Sequence, residues 1–298
     1  MWNDYNQNGI QELEEFEIAP YPDLAVYVRM FLPNQNFVKT NQTKLTQIFN
    51  FNFTTWQNAS GFKKVLSKFH IQSSFIVDQS VLRESNKISW NPFGGTGNEL
   101  VAENTNIRNS VYFNRGKQRY TTIYSIINNK AKNLMNFGSL TTEINTQQLQ
   151  FQHLLNKWWL GQFTFKYDEV KSESENYGSK NYILNNYSIT PKISYLFSTN
   201  ARVEFFYELK KRKNTMGDNE NLLQNHIGSA FNWNTSEKIS LNGEFSFYQN
   251  KFEGNPLSAV GYQILEGLQP GKNLTWRLLI QRNLTKYLDA NINYQGRT

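Results

Sequence analysis

A calcium-binding loop is predicted near the N-terminus, in the twelve residues from Asp4 to Glu15. Groups that can offer an oxygen occupy loop positions one, three, five, seven, nine and twelve, and Gly9 occupies position six. Calcium needs about six to eight converging oxygens, and a tight glycine turn lets a short segment supply them. The predicted ligands of a structural Ca²⁺ are Asp4, Asn6, Asn8, the backbone carbonyl of Ile10, Glu12 and Glu15.

The alternative for this segment is an acidic surface turn that binds no ion. Neutral Asn at two of the first three ligand positions lowers the charge of the site and weakens its affinity. Pro20 and Pro22 would interrupt a long exit helix, so we expect an isolated loop and not a paired helical EF-hand.

The charge of the chain is divided unevenly along its length. Residues 1–23 hold six carboxylates and no Lys or Arg, so the remainder carries 31 basic and 18 acidic residues. The basic residues are spread out, and their largest cluster, Lys210 to Lys213, ends a predicted strand. We therefore predict no nucleic-acid partner, although a basic excess alone is compatible with one. With no cysteine, the chain has no disulfide, thiolate nucleophile or zinc-thiolate site.

Beyond residue 43 the dominant period of apolar residues is two, which is typical of strands with one apolar face. One example is 159–167, where Trp159, Phe163 and Phe165 alternate with polar residues. The alternation predicts twelve antiparallel strands, at 43–56, 62–78, 107–114, 118–130, 138–155, 158–171, 181–197, 201–212, 221–234, 238–250, 273–283 and 286–296.

The predicted connections alternate strictly in length, with the long ones at 79–106, 131–137, 172–180, 213–220 and 251–272. Short periplasmic turns and long extracellular loops are typical of outer-membrane barrels, in which apolar side chains face lipid and polar ones face a hydrated interior. The sequence therefore predicts an all-β, antiparallel transmembrane β-barrel in the bacterial outer membrane, with outer-membrane lipid as a partner and other envelope proteins as candidate partners. Residues 1–42 are expected to form an extracellular calcium-loop segment, and 43–298 the barrel strands.

Two of the long loops contain distinctive sequences. In the last one, Val260, Ile264, Leu265 and Leu268 follow helical spacing and predict a short helix that either plugs the pore mouth or packs on a neighbouring loop. In the first, 90–97 is rich in glycine but lacks the Gly-Lys-Ser/Thr of a phosphate-binding loop, so we expect a turn-rich surface loop.

Both ends of the chain resemble the barrel portion of large outer-membrane proteins of Bacteroidota. The similarity lies in 4–19, in 27–33 (Tyr-Val-Arg-Met-Phe-Leu-Pro), in 265–273 (Leu-Glu-Gly-Leu-Gln-Pro-Gly-Lys-Asn) with Trp276, and in 288–297. The resemblance implies an outer-membrane location more than an activity. Unlike such proteins, the sequence shows no signal peptide and does not end on a terminal aromatic residue, which predicts a fragment. Whether these twelve strands alone close into a barrel is not predicted.

The sequence contains no motif for catalysis. His70, His153 and His226 are the only histidines, and we expect them to be polar residues of the interior or the membrane interface. Asp168 and Glu169 are adjacent in a predicted strand, so they should point to opposite faces and share no proton.

The leading hypothesis is a non-enzymatic outer-membrane barrel that serves transport or envelope assembly. The rival is a soluble secreted β-sandwich that binds carbohydrate through exposed aromatic residues such as Trp158, Trp233 and Tyr248. If Phe205, Tyr207, Phe245 and Phe247 packed on a second sheet, the rival would be favoured.

Overall fold

Twelve antiparallel strands form one sheet in a computed structural model, which describes residues 1–30, 38–83, 99–116, 119–135, 138–235, 239–285 and 288–298. Every strand pairs with its neighbours in sequence. The strands are β1 Thr40–Asn52, β2 Phe69–Leu82, β3 Leu100–Phe113, β4 Tyr120–Met135, β5 Gly138–Leu154, β6 Trp159–Ser174, β7 Tyr182–Leu196, β8 Ala201–Asn214, β9 Asn221–Asn234, β10 Ile239–Glu253, β11 Gly271–Thr285 and β12 Leu288–Arg297.

The two ends of the sheet carry different connections. What we call the upper end has the connections 83–99, 136–137, 175–181, 215–220 and 254–270 together with the N-terminal segment, and the lower end has the others. Helix α1 (Phe62–Leu66) lies in the first lower connection, and α2 (Ala259–Leu265) in the last upper one. No helix among the described residues is long and apolar enough to cross a membrane.

The sheet has two chemically different faces, because successive side chains of a strand point in opposite directions. The outer face carries mostly apolar residues; for example, Phe165 of β6 pairs with Ile189 of β7, which pairs with Leu209 of β8. The inner face carries mostly polar residues; for example, Asp168 of β6 pairs with Asn186 of β7. The prediction of an all-β, antiparallel sheet of twelve strands is therefore confirmed.

On β7, β8 and β10, burial on the two faces is the reverse of that in a soluble sandwich. Phe205 and Phe245 of the outer face are 52% and 50% exposed, whereas Ser194 and Ser246 of the inner face are each 1% exposed. In the described part of the chain, no second sheet covers the outer face. Phe205 and Phe245 thus point away from any protein core. The β-sandwich alternative requires them to pack on a second sheet.

Several predictions about the strands and their connections are wrong. Residues 62–68 were expected to begin the second strand, but Phe62, Val65 and Leu66 have helical spacing and lie on α1. Residues 131–137 were expected to be a long loop, yet β4 continues to Met135 and β5 begins at Gly138. The strict alternation of connection lengths fails at these two points, because the first lower connection, 53–68, is long and the upper one at 136–137 is short. The first strand begins at Thr40 and the third at Leu100, so 100–106, predicted as part of a long loop, belong to β3. The glycine-rich stretch 90–97 lies outside the described residues.

Candidate functional site

The predicted calcium loop folds into a compact turn around its last ligand, Glu15. The Glu15 side chain is 1% exposed. Its Oε2 accepts a hydrogen bond from Trp2 Nε1 at 2.7 Å, and its Oε1 accepts one from the Tyr5 backbone N–H at 3.1 Å. Trp2 and Phe16 form an antiparallel bridge, which brings the two ends of the loop together.

Side-chain oxygens at the first and fifth loop positions bond to the backbone of the turn. Asp4 Oδ2 accepts from the Gly9 N–H at 2.8 Å, and Asn8 Oδ1 accepts from the Ile10 N–H at 2.6 Å. Gln7 and Gly9 have φ values of 59° and 72°, a left-handed conformation that glycine adopts at least cost. Gly9 thus lies at a point of the turn where the backbone conformation favours glycine.

The donor set of the loop suits a hard cation, because every predicted ligand atom is oxygen. Asn6 Nδ2 donates to Glu12 Oε2 at 2.7 Å, which draws the third and ninth loop positions together. Within the described residues there is no group of three or more His, Cys, Asp or Glu side chains that could hold a metal ion. The three predicted carboxylate ligands Asp4, Glu12 and Glu15 are therefore not gathered into one such group in this structure.

The N-terminal segment is fixed to the upper end of the sheet by contacts that include an ion pair, a hydrogen bond and a cation–π contact. Glu17 Oε1 forms an ion pair with Lys180 Nζ at 2.8 Å, and the Tyr262 hydroxyl donates to Met1 Sδ at 3.0 Å. Arg297, at the end of β12, lies over the Tyr21 ring at 4.3 Å. The segment therefore lies beside α2, at the same end of the sheet as the connections 175–181 and 254–270.

Helix α2 packs against the inner face near the upper end, where apolar residues interrupt the polar lining. Ser258 caps the helix, with its Oγ accepting from the Gly261 N–H at 2.9 Å. Val260, Ile264 and Leu265 form a buried cluster with Leu184 of β7 and Leu222 of β9; Val170, Tyr182 and Phe252 pack around it. The helix predicted in this loop is confirmed, and it packs on the inner wall of the sheet.

A charged group of side chains connects α2 to the same inner face. Arg212 of β8 donates from Nη1 to the Ile264 carbonyl oxygen at 2.8 Å and forms an ion pair with Glu266. Lys210 Nζ lies 3.8 Å from the second carboxylate oxygen of Glu266. Partial burial works to raise the pKa of the Glu266 carboxyl, but the positive charges of Arg212 and Lys210 outweigh it and lower that pKa.

Below this group, Glu208, His226 and Tyr248 form a row across β8, β9 and β10. His226 Nδ1 lies 3.4 Å from Glu208 Oε2, and its ring stacks on Tyr248 with centroids 4.0 Å apart. This group was not predicted from the sequence, since its members lie on three strands. The available signal was that Glu208 and His226 fall on polar faces of two consecutive strands.

The other predictions about polar residues follow from the faces of the sheet. His70 lies on the inner face beside Tyr112, and His153 lies on the outer face near the lower end, beside Phe151. Asp168 points inward and forms an ion pair with Lys166 at 2.7 Å, whereas Glu169 pairs with Asn185 on the outer face. Asp168 and Glu169 therefore point to opposite faces, as predicted.

The outer face carries aromatic residues at two levels. At the upper level are Tyr167, Tyr187 and Tyr207. The hydroxyls of Tyr167 and Tyr207 donate to amide side chains one level higher, at 3.1 and 2.6 Å. At the lower level are Phe113, Tyr120, Trp159, Tyr195 and Trp233. On β6, Trp159 and Tyr167 are eight residues apart, or roughly 26 Å along a strand.

Two aromatic girdles around an apolar belt are typical of a membrane-spanning β-sheet, in which the tyrosine and tryptophan rings lie at the water interfaces. Above the upper girdle the outer face becomes polar, with Asn145, Glu169 and Lys211 among its residues. The strands thus extend beyond the belt at the upper end. These features place the sheet in the bacterial outer membrane, as predicted.

Comparison with known proteins gives distant structural likenesses, two of which are described here. No family model and no curated protein matches the sequence. The outer-membrane expressed OmpT of Vibrio cholerae is similar at a TM-score of 0.37 and 9% identity, over 60% of this chain and 54% of that one, so the chain spans about half of its length. The translocator domain of the autotransporter NalP from Neisseria meningitidis is similar at a TM-score of 0.30 and 10% identity, over 89% of this chain and 85% of that one. At these scores neither likeness carries an argument about function, and the fold rests on the strands and faces described above.

Proposed function

We propose that the chain is a non-enzymatic outer-membrane β-barrel protein that serves transport or envelope assembly and that holds a structural Ca²⁺ in its N-terminal loop. The observation that carries this proposal is the polar inner face with a helix docked on it. An apolar outer face is explained by lipid alone, whereas a polar inner face with ionised groups requires a hydrated interior.

Transport is favoured by the ion pairs that line the inner face below α2. Lys192 Nζ lies 3.5 Å from Glu204 Oε2, and Lys166 lies beside Asp168. Charged side chains along a hydrated passage select solutes by charge, because they raise or lower the local concentration of ions. Helix α2 would narrow the upper opening of that passage.

A transport role requires the sheet to be closed. Among the described residues, β1 pairs with β2 alone and β12 with β11 alone, so each has one edge without a hydrogen-bonded strand. In hydrocarbon an open edge leaves backbone N–H and C=O groups without partners, each at a cost of several kcal/mol. Pairing of β1 with β12, or with strands of another envelope protein, would satisfy those groups.

Conductance across a planar bilayer tests the transport proposal. The full-length protein should form discrete channels, and Ile264→Asn should enlarge their conductance, because an amide at this fully buried position weakens the packing of α2 on the inner face. Leu257→Asn is the matched control, since Leu257 is exposed in the same connection. Folded protein that produces no channels, or an Ile264→Asn variant with unchanged conductance, would contradict the proposal.

The calcium proposal rests on the oxygen-only ligand spacing and on the anchoring of the loop beside α2. Bound Ca²⁺ would offset the repulsion among the clustered carboxylates of residues 1–23 and brace a segment too polar to form its own core. Extracellular modules of this kind bind at about 10⁻⁴–10⁻³ M, which is adequate for a structural role.

A further inference from the structure

The outer face above the upper girdle has two sectors with different charge patterns. On β3 to β6, lysines alternate with carboxylates. Lys130 forms an ion pair with Glu103 at 3.0 Å, and Lys171 forms one with Glu173 at 2.7 Å. Glu143 lies between these two lysines in the strand register, with one on each side. The positive charge of this sector is therefore largely neutralised by its own neighbours.

On β8 to β11 the same level carries a patch of exposed lysines. Lys211 and Lys251 lie on either side of Leu223, with which both are in register. The lysine patch, as we call it, consists of Lys211, Lys213, Lys251 and Lys272. All four belong to the outer face, since their partners Leu223, Asn221 and Gln249 do.

The lysine patch has little acidic compensation. Among the described strand residues, Glu253 supplies the carboxylate on this part of the outer face. Its Oε2 accepts a hydrogen bond from Asn221 Nδ2 at 3.5 Å. None of the four lysines forms an ion pair with a described residue within 4.0 Å. The local charge of the outer face therefore differs sharply between the two sectors, although both lie at the same height.

The lysine patch borders the lipid-facing belt directly. One step below Lys211 on the outer face of β8 is Leu209, and Tyr207 follows, with its hydroxyl 2.6 Å from Asn225 Oδ1. Ile227 and Phe247, which pair with each other, continue the apolar surface across β9 and β10. A molecule that contacted the lysines could thus lay acyl chains on this belt, which a free anion could not do.

We propose that the lysine patch binds the phosphate groups of an anionic lipid in the leaflet that borders the upper end of the sheet. Lysine ammonium groups bind phosphate as point charges, and the apolar belt below gives the same lipid a surface for its chains. Each lysine near an anionic lipid surface strengthens binding by about fivefold, so three of them contribute about 100-fold.

The experiment measures binding of a diphosphorylated lipid A to the folded protein in detergent by native mass spectrometry. The test variant carries Lys211→Gln, Lys213→Gln and Lys251→Gln. The matched control carries Lys130→Gln, Lys132→Gln and Lys171→Gln, which remove the same charge from the other sector. A shift in gel migration between the unheated and the heated protein confirms that both variants are folded. Replacement of the three patch lysines by Arg should retain binding.

We expect the test variant to lose about 100-fold in affinity for the lipid. The control should lose less than about threefold, because exposed charges act over roughly one Debye length and its substitutions lie in the other sector. Dephosphorylated lipid should bind wild type as weakly as the diphosphorylated lipid binds the test variant. An unchanged affinity in the test variant, or an equal loss in the control, would overturn the proposal. Complete displacement of the lipid by inorganic phosphate would also overturn it, because the site would then recognise free phosphate.

Discussion

Arg212 Nη1 donates a 2.8 Å hydrogen bond to the carbonyl oxygen of Ile264, which joins the inner face of β8 to the last turn of α2. The final carbonyls of a helix have no partner within the helix, and a cation beside them is favourable because of the helix dipole. Arg212 also forms an ion pair with Glu266, the residue that follows the helix in a left-handed conformation with φ 54°. One arginine thus fixes both the end of the helix and its cap.

Replacement of Arg212 by Gln should loosen α2 by about 1–3 kcal/mol, because the Ile264 carbonyl and the Glu266 carboxylate both lose a charged donor. The chain has no cysteine, so a nitroxide attached at Leu257→Cys reports on this connection alone. Its mobility should rise in Arg212→Gln and stay unchanged in Lys211→Gln, since Lys211 lies on the outer face. Equal mobility in all three proteins would show that Arg212 does not hold the helix.

Acidification should release α2 through Glu266. Its pKa is below the usual 4.5 in the folded chain, chiefly because Arg212 and Lys210 outweigh the effect of burial. The stabilising contribution is therefore fully present above the usual pKa and is lost as the pH falls through the lower, folded-state pKa. Mobility of the Leu257 nitroxide should rise in that acidic range. A Glu266→Gln variant should be mobile at every pH, and a wild-type profile without any acidic transition would contradict this assignment.

The faces of the sheet could be predicted from the sequence because alternation needs no knowledge of which strands pair. The alternation of Phe163 and Phe165 with Gln162 and Thr164 assigns each side chain to a face from local sequence alone. The signal failed at 131–135, where the strand extends above the membrane belt and each face mixes polar and apolar residues, such as Lys132 with Leu134. Without an apolar face, an extended strand cannot be told from a loop by its period.

The groups on the inner face required the strand register, which the sequence does not provide. His226 seemed isolated in the sequence because its partners Glu208 and Tyr248 lie 18 residues before it and 22 residues after it. A calcium loop could be proposed from the sequence for the opposite reason. Its predicted ligands lie within one short segment, so no distant contact has to be known.

Alanine at Gly228 should destabilise the sheet. Phe206 lies across this glycine on the inner face, and an added Cβ would come within 2.7 Å of Phe206 Cε1. The ring cannot move freely, because it also packs edge-on against His226 with centroids 5.0 Å apart. We expect a loss of about 1–3 kcal/mol in urea-induced unfolding.

Gly161→Ala is the control for Gly228→Ala, because a Cβ there meets its nearest atom at an ordinary 3.8 Å. It should change the free energy of unfolding little, and adding Phe206→Leu to Gly228→Ala should recover most of the loss. If both glycine variants unfolded alike, the close approach of Phe206 would not be the cause.

A carboxylate added at loop position five should strengthen calcium binding. Asn8→Asp raises the charge of the ligand set and leaves an oxygen to accept from the Ile10 N–H, so the Kd should fall below the ~10⁻⁴–10⁻³ M typical of such modules. Gln7→Glu is the control, with the same added charge at a position that supplies no ligand. Calorimetric titration measures the Kd of both variants.

A second test uses the wild-type protein, in which chelator should accelerate proteolysis of residues 1–30. Digestion at the same rate with and without chelator would contradict the calcium assignment.

The most direct test of the membrane assignment compares two consecutive residues of β10 in lipid bilayers. Nitroxides attached at Glu244→Cys and Phe245→Cys lie on the inner and outer faces, and both native side chains are exposed. Relaxation by oxygen, which concentrates in lipid, should dominate at 245, and relaxation by a water-soluble nickel chelate should dominate at 244. Dominant nickel relaxation at both positions would place the apolar face in water and contradict the membrane-spanning sheet.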